Sequence, residues 1–88
     1  MNATTVEDDV AKLQLALDDI DREAVFPLLD QLAGQIDIVE VGTPLVIRYG
    51  LDLVGRIKQR YPQLQVLCDA KIMDAAYYEA ALAFEAGA

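Results

Sequence analysis

The sequence has 88 residues, 55% of them hydrophobic and 25% charged, enough for one small domain with a modest core and too apolar for a disordered chain. Its 15 Asp and Glu against 7 Lys and Arg give a formal charge of -8, the opposite of the electrostatic footprint of a nucleic-acid or anionic-membrane binder. A single cysteine permits no internal disulfide, no apolar stretch approaches the roughly 20 residues of a membrane span, and nothing near Met1 has the form of a secretory signal, so a cytoplasmic protein is expected.

Residues 1–12 form an acidic leader, with Glu7, Asp8 and Asp9 together and no strong periodicity. From Leu13 to Asp18 the chain alternates Leu on one side with Gln14, Ala16 and Asp18 on the other, the period-two pattern of a strand. Ala24, Val25, Leu28, Leu29 and Leu32 then recur at helical spacing, with Asp19 or Asp21 as N-cap and Gly34 as stop. Pro27 lies inside that stripe, so the helix either begins near it or bends there.

Ile36 to Val41 is a nearly continuous, β-branched apolar run, which predicts a strand covered on both faces and ended by Gly42-Thr43-Pro44. Gly50 marks a break before a second helical stripe of Leu51, Val54, Ile57, Lys58 and Tyr61, which Pro62 closes. Gln65 to Ala70 reads as a third strand and Tyr77 to Glu85 as an alanine-rich third helix stopped by Gly87. The alternation predicts an α/β protein with a parallel sheet.

Parallel α/β folds place their chemistry at the carboxyl ends of the strands, and here each strand ends in a carboxylate: Asp18, Glu40 and Asp69. If strands about 4.8 Å apart end in line, these groups crowd together and repel. A hard cation relieves that repulsion, and Mg²⁺ suits a site of oxygen ligands that keeps several waters, all the more because the sequence has no histidine. Strand alternation would place Lys71 on the same face as Asp69, adding a fixed positive charge.

The segment Asp69-Ala70-Lys71-Ile72-Met73-Asp74 has the spacing D-x-K-x-x-D. Together with Leu13-Gln14-Leu15-Ala16-Leu17-Asp18 and Val39-Glu40-Val41-Gly42-Thr43-Pro44-Leu45, it resembles the orotidine-monophosphate decarboxylase suprafamily of (β/α)₈ barrels, and within it the 3-hexulose-6-phosphate synthase branch. The resemblance runs from Leu13 to Ala88, so that residues 13–88 would be the first three βα units of such a barrel. The related 3-keto-L-gulonate-6-phosphate decarboxylase branch shares the acidic and lysine positions, and Pro44 and Met73 favour the synthase.

The resemblance implies a lyase that condenses formaldehyde with D-ribulose 5-phosphate through an enediolate. It implies Glu40 and Asp69 as ligands of Mg²⁺, Asp18 as a binder of substrate hydroxyls, and Lys71 as the cation that stabilises the enediolate. Asp74 is expected to reach the site of a partner subunit in a homodimer. Relatives usually carry Gly where this chain has Ala76, and if φ is positive there, Ala would be strained by roughly 1 kcal/mol or more. Tyr77 and Tyr78 are read mainly as packing residues opening a helix, and Cys68 as a core residue facing away from Asp69.

A complete barrel of this kind needs roughly 250 residues. The sequence therefore predicts an incomplete barrel, with free sheet edges and an apolar face around Ile36, Ile38 and Leu67 that calls for self-association or another partner. Phosphate-binding loops that usually follow the seventh and eighth strands are not among these residues, so the chain alone is expected to be catalytically incomplete. A function of another class, a catalytically silent module that self-associates, is the alternative.

Overall fold

A computed structural model describes residues 10–88; most of the acidic leader lies outside the described residues. The elements alternate as β1 (Gln14–Leu17), α1 (Arg22–Leu32), β2 (Ile38–Val41), α2 (Thr43–Arg60), β3 (Gln65–Cys68) and α3 (Ala76–Ala86). The strands form one parallel sheet in the order β1-β2-β3. Gln14 pairs with Ile38 and Ala16 with Glu40, while Ile38 pairs with Gln65 and Glu40 with Leu67 on the other side.

This register gives the sheet two unlike faces. Leu17, Val39, Val41 and Val66 point into a core completed by Val25 and Leu29 of α1 and by Leu45, Leu53, Val54 and Ile57 of α2, all buried. Each such side chain contributes about 1.5–3 kcal/mol through removal from water. The opposite face carries Gln14, Ala16, Ile38, Glu40, Gln65 and Leu67, none of them fully buried. β2 was expected to be covered on both faces; among the described residues the helices cover one, because all three return to the same side of the sheet. Ile36, expected on the open face, instead packs against the core.

α1 runs through Pro27, and Asp21 is its N-cap residue without a side-chain cap bond. The Arg22 N–H that such a cap leaves free donates instead to the Tyr49 hydroxyl at 3.2 Å. α2 is longer than its expected stripe and begins at Thr43, with Pro44 in its first turn, where a missing N–H costs nothing. Gly50, at φ 72° and ψ -170°, divides α2 into two helical segments. The break at Gly50 was expected, whereas the segment Thr43–Tyr49 was not.

β1 and β3 are also shorter than expected, because pairing stops at Leu17 and Cys68. α3 ends at Gly87, which has φ 120° and where a β-carbon would stand 2.9 Å from Lys58 Cβ and collide with it. Beside the free edge of β3, an apolar groove of about 340 Å³ runs between the sheet and α3, lined by Leu67, Cys68, Ile72, Ala80 and Phe84 among others. No helix of the described residues is long and apolar enough to cross a membrane.

Tyr61 closes the bottom of the core. Its hydroxyl donates to Asp30 Oδ1 at 2.6 Å and lies 3.1 Å from the Phe26 carbonyl oxygen. Burial pushes its phenol up to about 12, and the Asp30 carboxylate adds to the rise. A phenol raised in the folded state gives stability that is complete below the unfolded value of about 10 and is lost as pH climbs toward 12. Tyr61→Phe should cost on the order of 1 kcal/mol at neutral pH and flatten the loss of stability between pH 10 and 12, measured by urea denaturation across that range.

Gly50 occupies a backbone region that is open almost only to glycine, with free space where a β-carbon would stand. Gly50→Ala should therefore destabilise through the backbone alone, by about 1–3 kcal/mol in chemical denaturation. Gly34→Ala, which also meets no neighbour and has no positive φ, should stay within about 0.5 kcal/mol of the parent.

Candidate functional site

The carboxyl ends of the three strands open on the same edge of the sheet, and four of the five predicted residues lie there. Glu40 is the third residue of β2, on the face opposite the core. Its Oε1 accepts a hydrogen bond from Gln14 Nε2 at 2.8 Å, one strand over and two residues lower on the same face. Gln14 was read only as an alternating strand residue; its pairing with Glu40 depends on register between strands, and its parity with Asp18 was the signal for it.

Asp18 follows β1 and is exposed. Its carboxylate lies against the α-carbon of Gly42, so close that any β-carbon there would collide with Asp18 Oδ1 and would stand 2.7 Å from the Leu17 carbonyl oxygen. The Gly42 N–H donates to that same carbonyl at 2.8 Å. Glycine at the end of β2 thus lets the end of β1 approach it and seats Asp18 beside the strand that carries Glu40.

Asp69 is held on both sides by its backbone. Its N–H donates to the Val41 carbonyl at 3.0 Å, continuing the ladder one step past β3, and its carbonyl accepts a hydrogen bond from Thr43 Oγ1 at 2.6 Å. Thr43, seen in the sequence only as part of the turn ending β2, therefore ties the start of α2 to the end of β3. Lys71 Nζ reaches Asp69 Oδ2 at 2.6 Å, and this hydrogen bond holds the Asp69 carboxyl below the ordinary carboxylate range.

Strand alternation is not what places Lys71. The strand has ended, and Lys71 has φ 51°, the one positive φ among the described non-glycine residues. A left-handed turn brings the ammonium back over Asp69. Such a conformation costs a non-glycine residue about 1–2 kcal/mol, and residues held this way cluster at functional sites.

Asp74 lies in the turn before α3, exposed, and no hydrogen bond or ion pair joins it to the other four among the described residues. Ala76 is the first residue of α3 and has no positive φ, so the strain expected from replacing glycine there does not arise. Tyr77 and Tyr78 do not pack as expected: they are 91% and 67% exposed, and Met73 is 93% exposed. Cys68 does pack against the core, and burial, followed by the neighbouring Asp69 charge, pushes its thiol up, away from the reactive thiolate.

Among the described residues no three acidic, His or Cys side chains gather closely enough to enclose a metal ion. Glu40 and Asp69, on adjacent strands and the same side of the sheet, still suit a Mg²⁺ ion, which is commonly held by one or two carboxylates and keeps waters or substrate oxygens in its other positions. An all-oxygen donor set with an ammonium alongside favours a hard cation and an anionic oxygen of a substrate.

Comparison with known proteins bears on this arrangement. A sequence profile described as the orotidine 5'-phosphate decarboxylase / HUMPS family matches residues 11–88. The 3-hexulose-6-phosphate synthase of Bacillus subtilis (strain 168) is 51% identical over 77 residues, 88% of this chain and 37% of its own length. That of Mycobacterium gastri is 43% identical over the same shares. A crystal structure of 3-hexulose-6-phosphate synthase from Salmonella typhimurium superposes with a TM-score of 0.85 at 46% identity, covering 89% of this chain and 37% of that one. A 3-keto-L-gulonate-6-phosphate decarboxylase structure from Vibrio cholerae follows at 0.82 and 31%, covering 88% and 36%. The chain thus spans a little over a third of the length of these relatives.

Gly42 offers a direct check of how the mouth is assembled. Gly42→Ala should displace Asp18 and push β1 from β2, since a backbone carbonyl as well as a side chain stands in the way. The expected loss is about 1–3 kcal/mol in chemical denaturation, with shifts of the Leu17, Asp18 and Gly42 amide resonances.

Proposed function

The chain belongs to the orotidine 5'-phosphate decarboxylase / HUMPS family, and from that premise we propose that it carries the metal-binding and enediolate-stabilising part of a 3-hexulose-6-phosphate synthase, which condenses formaldehyde with D-ribulose 5-phosphate. The observation that carries this reading is the ion pair of Lys71 with Asp69 at 2.6 Å, on the strand-end edge that also holds Glu40 and Asp18. The relatives named as synthases are 38–51% identical to this chain, against 25–31% for those named as decarboxylases.

In this reading Glu40 and Asp69 hold Mg²⁺, which when bound supplies positive charge to the oxygens of the sugar phosphate. Lys71 is fixed beside the reacting carbons by its bond to Asp69, so its ammonium faces negative charge as a proton leaves the substrate. Asp18, seated on Gly42, accepts hydrogen bonds from substrate hydroxyls and orients them. Asp74, exposed ahead of α3, is assigned to the site of a second copy in a homodimer. The carbanion so stabilised forms the new carbon–carbon bond to formaldehyde, whose carbonyl oxygen takes up a proton.

Phosphate recognition is the part of this chemistry with no candidate among the described residues, so the 88-residue chain on its own is proposed to be catalytically incomplete. The test is formaldehyde consumption with D-ribulose 5-phosphate and Mg²⁺, on the chain alone and on a fusion to the remaining two thirds of a homologous synthase. The fusion should turn over, and Asp69→Asn or Lys71→Ala in it should lower kcat by at least about 100-fold. Turnover unaffected by both substitutions would refute the site, and a folded but inactive fusion would refute the reading of the chain as a synthase segment.

A further inference from the structure

Glu40 is the one proposed metal ligand whose carboxylate is already engaged by another strand. Gln14 Nε2 donates to Oε1 at 2.8 Å, from a residue paired with Ile38 and therefore lying below Glu40 on the same face. No other hydrogen bond to the Glu40 carboxylate occurs among the described residues, so Oε2 is the oxygen without a partner there. A carboxylate held this way offers one oxygen readily. Using both makes Oε1 divide its lone pairs between the Gln14 N–H and the cation, which the bond disfavours.

That difference matters for the choice of cation. Mg²⁺ takes one oxygen from each carboxylate in a small octahedral shell, whereas Ca²⁺ takes six to eight oxygens and readily binds carboxylates through both. Hydrogen bonds to ligating groups orient them, and their loss commonly changes metal affinity 10–100-fold. Resting on the assignment of Glu40 and Asp69 as a cation site, we infer that Gln14 is a positioning residue that restricts Glu40 to one-oxygen coordination and thereby sets the preference for Mg²⁺ over Ca²⁺. The amide suits the task because it is neutral: it donates to the carboxylate without adding a charge of its own to compete with the metal.

The test uses Mn²⁺ as a spectroscopic probe on the full 88-residue chain. Free Mn²⁺ is followed by electron paramagnetic resonance, and bound Mn²⁺ is displaced with Mg²⁺ or with Ca²⁺. The parent should prefer Mg²⁺, and Gln14→Ala should narrow the ratio of Mg²⁺ to Ca²⁺ affinity by about 10-fold, largely through weaker Mg²⁺ binding. Gln14→Met, which fills similar space without a donor, should do the same, and melting curves of both variants show that the sheet is intact. A merely structural hydrogen bond would lower the melting temperature and leave the ratio alone. An unchanged ratio in two folded variants overturns the inference while leaving the metal site standing. Absence of Mn²⁺ binding to the folded parent, or binding unaffected by Glu40→Gln, overturns the site assignment and this inference with it.

Discussion

β2 is hydrogen-bonded along both edges, and its four residues divide the molecule. Val39 and Val41 are completely buried under the helices, while Ile38 and Glu40 point the other way. A strand's side chains alternate with a period of two, so a slip of one residue would expose both valines and drive a carboxylate into the core. That penalty fixes the register of β1 and β3 as well, since among the described residues each pairs only with β2. The alignment that packs the core therefore also brings Gln14 under Glu40 and Asp69 two residues beyond it.

The strand ends are made in three different ways, and each departs from the regular pattern around it. Asp18 needs a glycine at the end of the neighbouring strand; Asp69 needs a hydroxyl from the start of the preceding helix; Lys71 needs a left-handed residue. None of these devices adds much to stability. The Lys71–Asp69 pair is largely exposed, and exposed pairs contribute little to folding, while the left-handed residue is a cost. Locally unfavourable choices that meet at one edge of a sheet, with no gain to the core, are the mark of a surface arranged for binding or chemistry.

Which parts were legible in the sequence follows from periodicity. The βα alternation, the strand-end carboxylates and the Gly50 break stood out because each is a local pattern. The helical segment Thr43–Tyr49 did not, because Gly42-Thr43-Pro44 reads equally as a turn and as a helix start, and Gly50 then interrupts the stripe of Leu45, Val46 and Tyr49 before it can be recognised. The parity argument for Lys71 assumed a strand two residues longer than β3; the pair forms through a turn that no pattern announces. Gln14 and Thr43 were hidden for another reason. Each acts on a residue 26 positions away, and such a relation exists only once the register is known.

Charge ties these features to the proposed chemistry. At neutral pH the mouth carries the formal charges of Asp18, Glu40 and Asp69 against the single ammonium of Lys71, in a chain whose overall charge is already -8. Two uncompensated negative charges at a strand-end mouth would repel a sugar phosphate, itself an anion. In the proposed reading one divalent cation would offset that excess, held by Glu40 and Asp69 from neighbouring strands. A second lysine in place of the metal would offset only one of the two charges. In the proposed reading that surplus of carboxylate over ammonium is what Mg²⁺ would offset, with Lys71 supplying the fixed part of the positive charge.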